Sequence, residues 1–137
     1  MITFTVLCLA MNIYHEARGE NLAGQLAVGF STLNRVADER YPDTVCEVVH
    51  QAKYSSWDPV NPIRHQCQYS WFCDGLTDTP HDERALLEST ILAQNILAGL
   101  VTDISEGATH YHATYVHPYW ADTMEVVLRV DDHIFYR

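Results

Sequence analysis

The stretch Tyr14-His15-Glu16-Ala17-Arg18-Gly19-Glu20 decides how the rest of the chain is read. It closes an apolar run. Phe4, Leu7, Leu9, Ala10, Met11, Ile13, Tyr14 and Ala17 wrap most of the circumference of a helix over residues 3–17. A helix that is apolar nearly all round belongs at the centre of a fold. Gly19 is a natural stop for it. The ending leaves a His, two Glu and an Arg at the rim of a core. A carboxylate there feels the negative end of the helix dipole, and burial adds to that effect; both raise its pKa. Glu16 is therefore expected to keep its proton near neutral pH and to act as an acid, against the plainer alternative of a solvated carboxylate. Glu20 lies beyond the glycine and is expected to face water or to cap the next helix.

Outward from this stretch, Asn21 can cap a second helix over residues 22–38, with Leu22, Leu26, Phe30, Leu33, Val36 and Ala37 at helical spacing. The small residues Ala23, Gly24, Ala27 and Gly29 suggest close packing on the first helix. Asn34 and Arg35 stand in its last turns. After Pro42, Asp43 or Thr44 can cap a short helix over 45–51. Residues 52–80 carry Pro59, Pro62 and Pro80 and five aromatics, Tyr54, Trp57, Tyr69, Trp71 and Phe72. A loop this long in a small domain is usually functional. A fourth helix runs over 82–98 and stops at Gly99. From Thr109 the chain turns aromatic, and 125–130 and 133–136 read as two strands joined at Asp131-Asp132. No repeat or linker interrupts the chain, so residues 1–137 read as a single domain. Its class is α+β, mainly helical with a small C-terminal antiparallel β element.

Charge excludes some partners. Eighteen acidic residues against eight Lys and Arg give a formal net charge of −10 in 137 residues. Nucleic acid needs a basic footprint, so it is not an expected partner. Attraction to an anionic membrane or polymer is excluded on the same ground. Residues 1–14 have no basic leader region and run straight into the Glu16 stretch, so they read as a mature helix and not a signal peptide. That helix is too short to span a bilayer, and no membrane anchor is expected.

Four cysteines are present. Cys8 lies in the apolar first helix and is expected to be a buried small hydrophobe. Cys46, Cys67 and Cys73 sit in or beside the loop-rich middle, where two of them can bridge in an oxidising compartment; spacing does not choose the pair. No Cys-x-x-Cys pair marks a zinc site.

Three chemistries compete. The first is glycan cleavage by Glu16. Sugar faces stack on aromatic rings and their hydroxyls need polar partners, and Trp57, Tyr69, Trp71, Tyr111 and Trp120 interleave with Asn61, Gln66, Gln68, Ser70 and His112. The second is a metal centre built from His110, His112, His117, Asp122 and His133. His15-Glu16 begins like a zinc-protease helix, but no second His follows at the required spacing. The third is a nucleophilic Cys73 near His81. The first reading is preferred, with no metal or cofactor.

The chain also resembles a known family. Tyr14 to Glu20, Gly24-Gln25-Leu26-Ala27-Val28, Leu33-Asn34-Arg35-Val36, Tyr41-Pro42-Asp43-Thr44-Val45-Cys46, Cys67-Gln68-Tyr69-Ser70-Trp71, Ala108-Thr109-His110-Tyr111-His112, Pro118-Tyr119-Trp120-Ala121 and His133-Ile134-Phe135-Tyr136-Arg137 are similar, in this order, to the SleB-type cell wall hydrolases. The resemblance implies a lysozyme-like domain related to lytic transglycosylases. It implies cleavage of the β-1,4 bond between N-acetylmuramic acid and N-acetylglucosamine in peptidoglycan. The family's catalytic Glu falls on Glu16, and the Tyr that orients it on Tyr111. His112 stands where that superfamily has Asn, His15 where Gly is common, and Asp131-Asp132 where Gly-Asn is usual. Gln68, Tyr69, Ser70, Trp71, His112 and Trp120 are the candidate substrate-binding residues. The resulting expectation is a monomeric, cofactor-free enzyme of phage lysis, an endolysin, made in the host cytoplasm and acting on glycan strands of the wall. The rival readings are a metal-dependent wall amidase or peptidase using His110, His112 and His117, and a glycan-binding domain without activity.

Overall fold

The computed structural model describes residues 2–137. Four helices come first: α1 (Phe4–Ala17), α2 (Leu22–Val36), α3 (Val45–Val49) and α4 (Glu83–Leu97). Three strands follow: β1 (His110–Ala113), β2 (Val126–Val130) and β3 (His133–Tyr136). Short 3-10 turns stand at Ser70–Cys73 and Tyr119–Thr123. This is the mainly helical α+β architecture the sequence implies.

Each α-helix begins on a side-chain cap. Thr3 accepts from the Val6 amide, Asn21 from Gly24, Thr44 from Glu47 and Asp82 from Ala85, at 2.9–3.2 Å. Thr44 also donates its hydroxyl to the Glu47 carboxylate at 2.8 Å.

As the apolar circumference requires, α1 is central and packs on α2, α3 and α4. Leu9, Ala10 and Ile13 are fully buried there. The closest approach is at Gly29 of α2. A Cβ built on it would stand 2.6 Å from the end of Ile96 in α4 and 3.2 Å from Ile13 in α1. One buried polar link crosses this core: Asn12 donates to Thr32 at 3.1 Å and accepts from the Trp71 indole at 3.0 Å.

Several expectations are corrected. Helix α2 stops at Val36 instead of 38, and α3 at Val49 instead of 51. The chain leaves α3 because the Gln51 carbonyl accepts from the Gln68 amide, which starts a short antiparallel pairing of Ala52 with Cys67. Cys8 is not a free hydrophobe: it is bonded to Cys46, tying α1 to α3. Cys67 and Cys73 form the second bridge, across the turn that carries Trp71.

The sheet has three strands, not two. β3 is central, with β1 and β2 antiparallel on either side. β1 was not legible as a strand because its four residues pair with a segment 20 to 26 positions away. Alternation gives the sheet two faces. Tyr111 and Phe135 turn toward Ala17, Ala27 and Val28 of the helices. Ile134 and Tyr136 turn the other way, under Trp120 and Ala121.

Candidate active site

Glu16 lies in the last turn of α1, where the helix meets the inner face of the sheet. Its carboxylate accepts a hydrogen bond from the Tyr111 hydroxyl, reaching across 95 positions of sequence. Burial pushes the Glu16 carboxyl above its ordinary range; the Tyr111 hydrogen bond and the charges of His133 and Arg35 pull only partly against it. Tyr111 is held in the same apolar surroundings. Its ring packs 5.1 Å from Phe135 and meets His133 edge-on at 5.5 Å. Burial, with the Glu16 charge added, drives its hydroxyl well above the usual phenol range, so it stays a donor. The arrangement supplies one carboxyl of raised pKa, held in a fixed orientation in a desolvated place.

Arg35 gives the site its floor. The guanidinium is buried on α2, donates to the Thr109 carbonyl at 2.7 Å and to the Gln68 side chain at 3.2 Å. It lies over the rings of Tyr41 and Tyr69 at 5.0 and 5.3 Å. The neighbouring Asn34 donates to the Ala108 carbonyl and to Asp103, at 2.9 and 3.0 Å. Together these two residues fix where β1 begins, and so where Tyr111 points.

The candidate substrate-binding residues divide. Gln68 and Ser70 are exposed, and Gln68 accepts from Arg35. Tyr69 is buried, close enough to Glu16 and Tyr111 to interact with both electrostatically. Trp71 is a core residue, stacked on His15 at 4.4 Å and bonded to Asn12. His112 and Trp120 lie on the outer face of the sheet, away from Tyr111. His112 is buried, stacks on Tyr136 at 5.2 Å and bonds the Tyr136 hydroxyl at 2.6 Å. Trp57 is open to solvent, at 86 % exposure, and so are Tyr115 and Tyr119.

The histidines are dispersed. His15 donates to the Asp78 carbonyl at 2.9 Å. His110 bonds Thr109, and burial with the nearby Arg35 and Arg40 lowers its pKa to about 4. His117 pairs with Asp122 on the surface at 2.9 Å. Among the described residues no three His, Cys, Asp or Glu side chains converge as metal ligands would. Cys73 is held in its disulfide and offers no thiolate. Asp58 and Asp74 cap their own turns, to Asn61 and Leu76.

Sequence reasoning missed two residues. Arg35 was only a basic residue near a helix end. Glu20 was expected in water or as a cap, yet it turns inward, 2.8 Å from His133.

The profile of the Cell Wall Hydrolase family matches residues 19–136. The chain belongs to this family. Membership makes it a cell-wall-degrading domain whose substrate is peptidoglycan. The match starts just after Arg18, so Glu16 stands outside it. Two solved structures are similar over 100 % of this chain. The catalytic domain of the Bacillus cereus SleB protein is 24 % identical with a TM-score of 0.67, and 93 % of it is covered. The catalytic domain of the germination-specific lytic transglycosylase SleB from Bacillus anthracis is 24 % identical with a TM-score of 0.69, and 97 % of it is covered. At this identity the likeness is one of fold. No curated protein matches the chain. In this member of the family no described helix is long and apolar enough to cross a membrane.

Proposed function

We propose that this wall hydrolase is a glycosidase that cleaves the β-1,4 bond between N-acetylmuramic acid and N-acetylglucosamine with Glu16 as its one acid and base. The observation that carries the reading is the Tyr111–Glu16 hydrogen bond inside a desolvated site. A carboxyl kept protonated by burial can donate to the glycosidic oxygen as the C1–O bond breaks. The Glu16 carboxylate then takes a proton from the incoming nucleophile. Tyr111 keeps one carboxylate oxygen occupied, leaving the other for the reaction. Asp58, Asp74 and Asp122 are engaged in turns or at the surface. That favours single-acid chemistry, in which the sugar's own 6-hydroxyl attacks and leaves a 1,6-anhydro end. Trp57, Gln68 and Ser70 are the exposed side chains offered to the glycan. The metal-dependent amidase reading loses support because His110, His112 and His117 each serve a separate neighbour.

Two disulfides fit action outside a reducing cytoplasm. We read the setting as phage-induced lysis by a monomer that reaches the wall once the host membrane is opened. Expression in host cells should lyse them only when the membrane is permeabilised.

Mass spectrometry of digested peptidoglycan tests the reaction. Muropeptides ending in 1,6-anhydro-muramic acid support it, ordinary reducing ends redirect it to hydrolysis, and released peptides with intact glycan refute it. Glu16→Gln should abolish cleavage while raising the melting temperature at neutral pH, because a buried ionisable group is removed.

A further inference from the structure

One imidazole stands against Glu20 and against Tyr111, the residue that bonds Glu16. Glu16 closes α1, Glu20 follows just beyond its end, and His133 opens β3. Glu20 Oε1 lies 2.8 Å from His133 Nδ1, and each side chain is only 13 % exposed. The surface pair His117–Asp122 is 66 % and 73 % exposed by contrast. The His133 ring meets Tyr111 edge-on, with planes at 81°. It lies close enough to Glu16 and Glu20 to interact with both electrostatically. The turn before His133 is clamped as well: Asp131 accepts from the Asn21 amide at 2.6 Å and from its side chain at 3.0 Å. The single-acid mechanism uses none of this. The ionisable groups around the pair are Glu16 at the end of α1, Arg35 on α2, Tyr111 on β1, and Asp131 and Asp132 in the turn.

We propose that Glu20 and His133 are a positioning pair for Glu16: Glu20 holds the imidazole beside Tyr111, where a charge on the ring favours the carboxylate that Glu16 becomes when its proton has gone. This rests on Glu16 being the acid. In the first half-reaction the Glu16 O–H bond breaks and the proton forms a new O–H bond on the leaving sugar oxygen, which departs with the C1–O electron pair. The negative charge stays on Glu16. In the second half the nucleophile's proton returns to Glu16. His133 and Glu20 exchange no proton with substrate. A fixed cation opposite Glu16 makes a buried acid a stronger one, and histidine is the side chain whose charge changes near neutral pH.

The test compares wild type with Glu20→Gln, His133→Gln, the double variant and Glu16→Gln on purified peptidoglycan, with kcat and KM measured from about pH 4 to about pH 9. Both single variants should lower kcat roughly tenfold with KM unchanged, and move the basic limb of the pH profile upward by about one unit. The double variant should be no worse than His133→Gln alone, and Glu20→Asp should restore most of the rate. A basic limb that stays in place in both single variants, with kcat near wild type, overturns the proposal. If the Gln variants fail to fold, imidazole NMR of the wild type decides. A His133 resonance with an inflection on the basic limb of activity supports the pairing, and its absence refutes it. Activity in Glu16→Gln would mean that the acid itself is misassigned. An inactive Glu16→Gln with unmoved limbs in the other variants would remove only the pair.

Discussion

Tyr111→Phe removes one oxygen from the site and keeps the ring that packs on Phe135 and His133. What is lost is the hydroxyl donated to Glu16. A hydrogen bond to a charged group contributes about 1.5–3 kcal/mol. At 1.36 kcal/mol per pKa unit, the Glu16 carboxyl should rise by about one to two units beyond its already raised position. The proton is then held more tightly and donated less readily, so kcat should fall roughly 10- to 100-fold while KM changes little. The assay is turbidity loss of a wall suspension across pH, with kinetics on soluble glycan fragments. The basic limb should move to higher pH. Stability has a matching signature. Glu16 binds its proton more tightly folded than unfolded, so its contribution is full below the unfolded carboxylate range and is lost as pH rises through the folded value. The variant should lose additional stability in its upper range, visible in thermal melts. A basic limb that stays put or moves down would refute the account, because Tyr111 would then not be acting through Glu16.

The disulfides should differ in weight. Cys8–Cys46 spans 38 positions and Cys67–Cys73 spans 6. Loop entropy gives about 4 kcal/mol for the first and about 2 kcal/mol for the second, so paired Cys→Ala variants in urea should rank in that order. Gly29→Ala should cost roughly 1–3 kcal/mol, because the new methyl meets Ile96. Adding Ile96→Val should recover part of that loss, and a melt with no recovery would place the strain elsewhere.

Much of this protein was legible as sequence. The apolar circumference of residues 4–17 put α1 at the centre, since a helix without a polar face has nowhere else to lie. Asn21, and Asp43 or Thr44, marked helix starts because capping depends on two or three neighbouring residues. The hairpin at Asp131-Asp132 was visible for the same reason: its chemistry is local. Glu16 stood out because a helix end and an apolar run are both readable in one window.

Only the tertiary structure decided what Glu16 meets. Tyr111 approaches it because Asn34 and Arg35 of α2 hold the start of β1, a contact 74 positions long. β1 itself exists because β3 pairs with it, and four alternating polar and aromatic residues carry no such instruction alone. The Cys8 partner, the burial of Trp71 and Tyr69, and the outward face of His112 and Trp120 were likewise set by packing. An aromatic residue favours a core and a sugar face alike, so its type does not tell the two apart. Glu20 reads as a surface carboxylate until the fold brings His133 against it, because local sequence fixes where a side chain starts but long-range packing fixes what surrounds it.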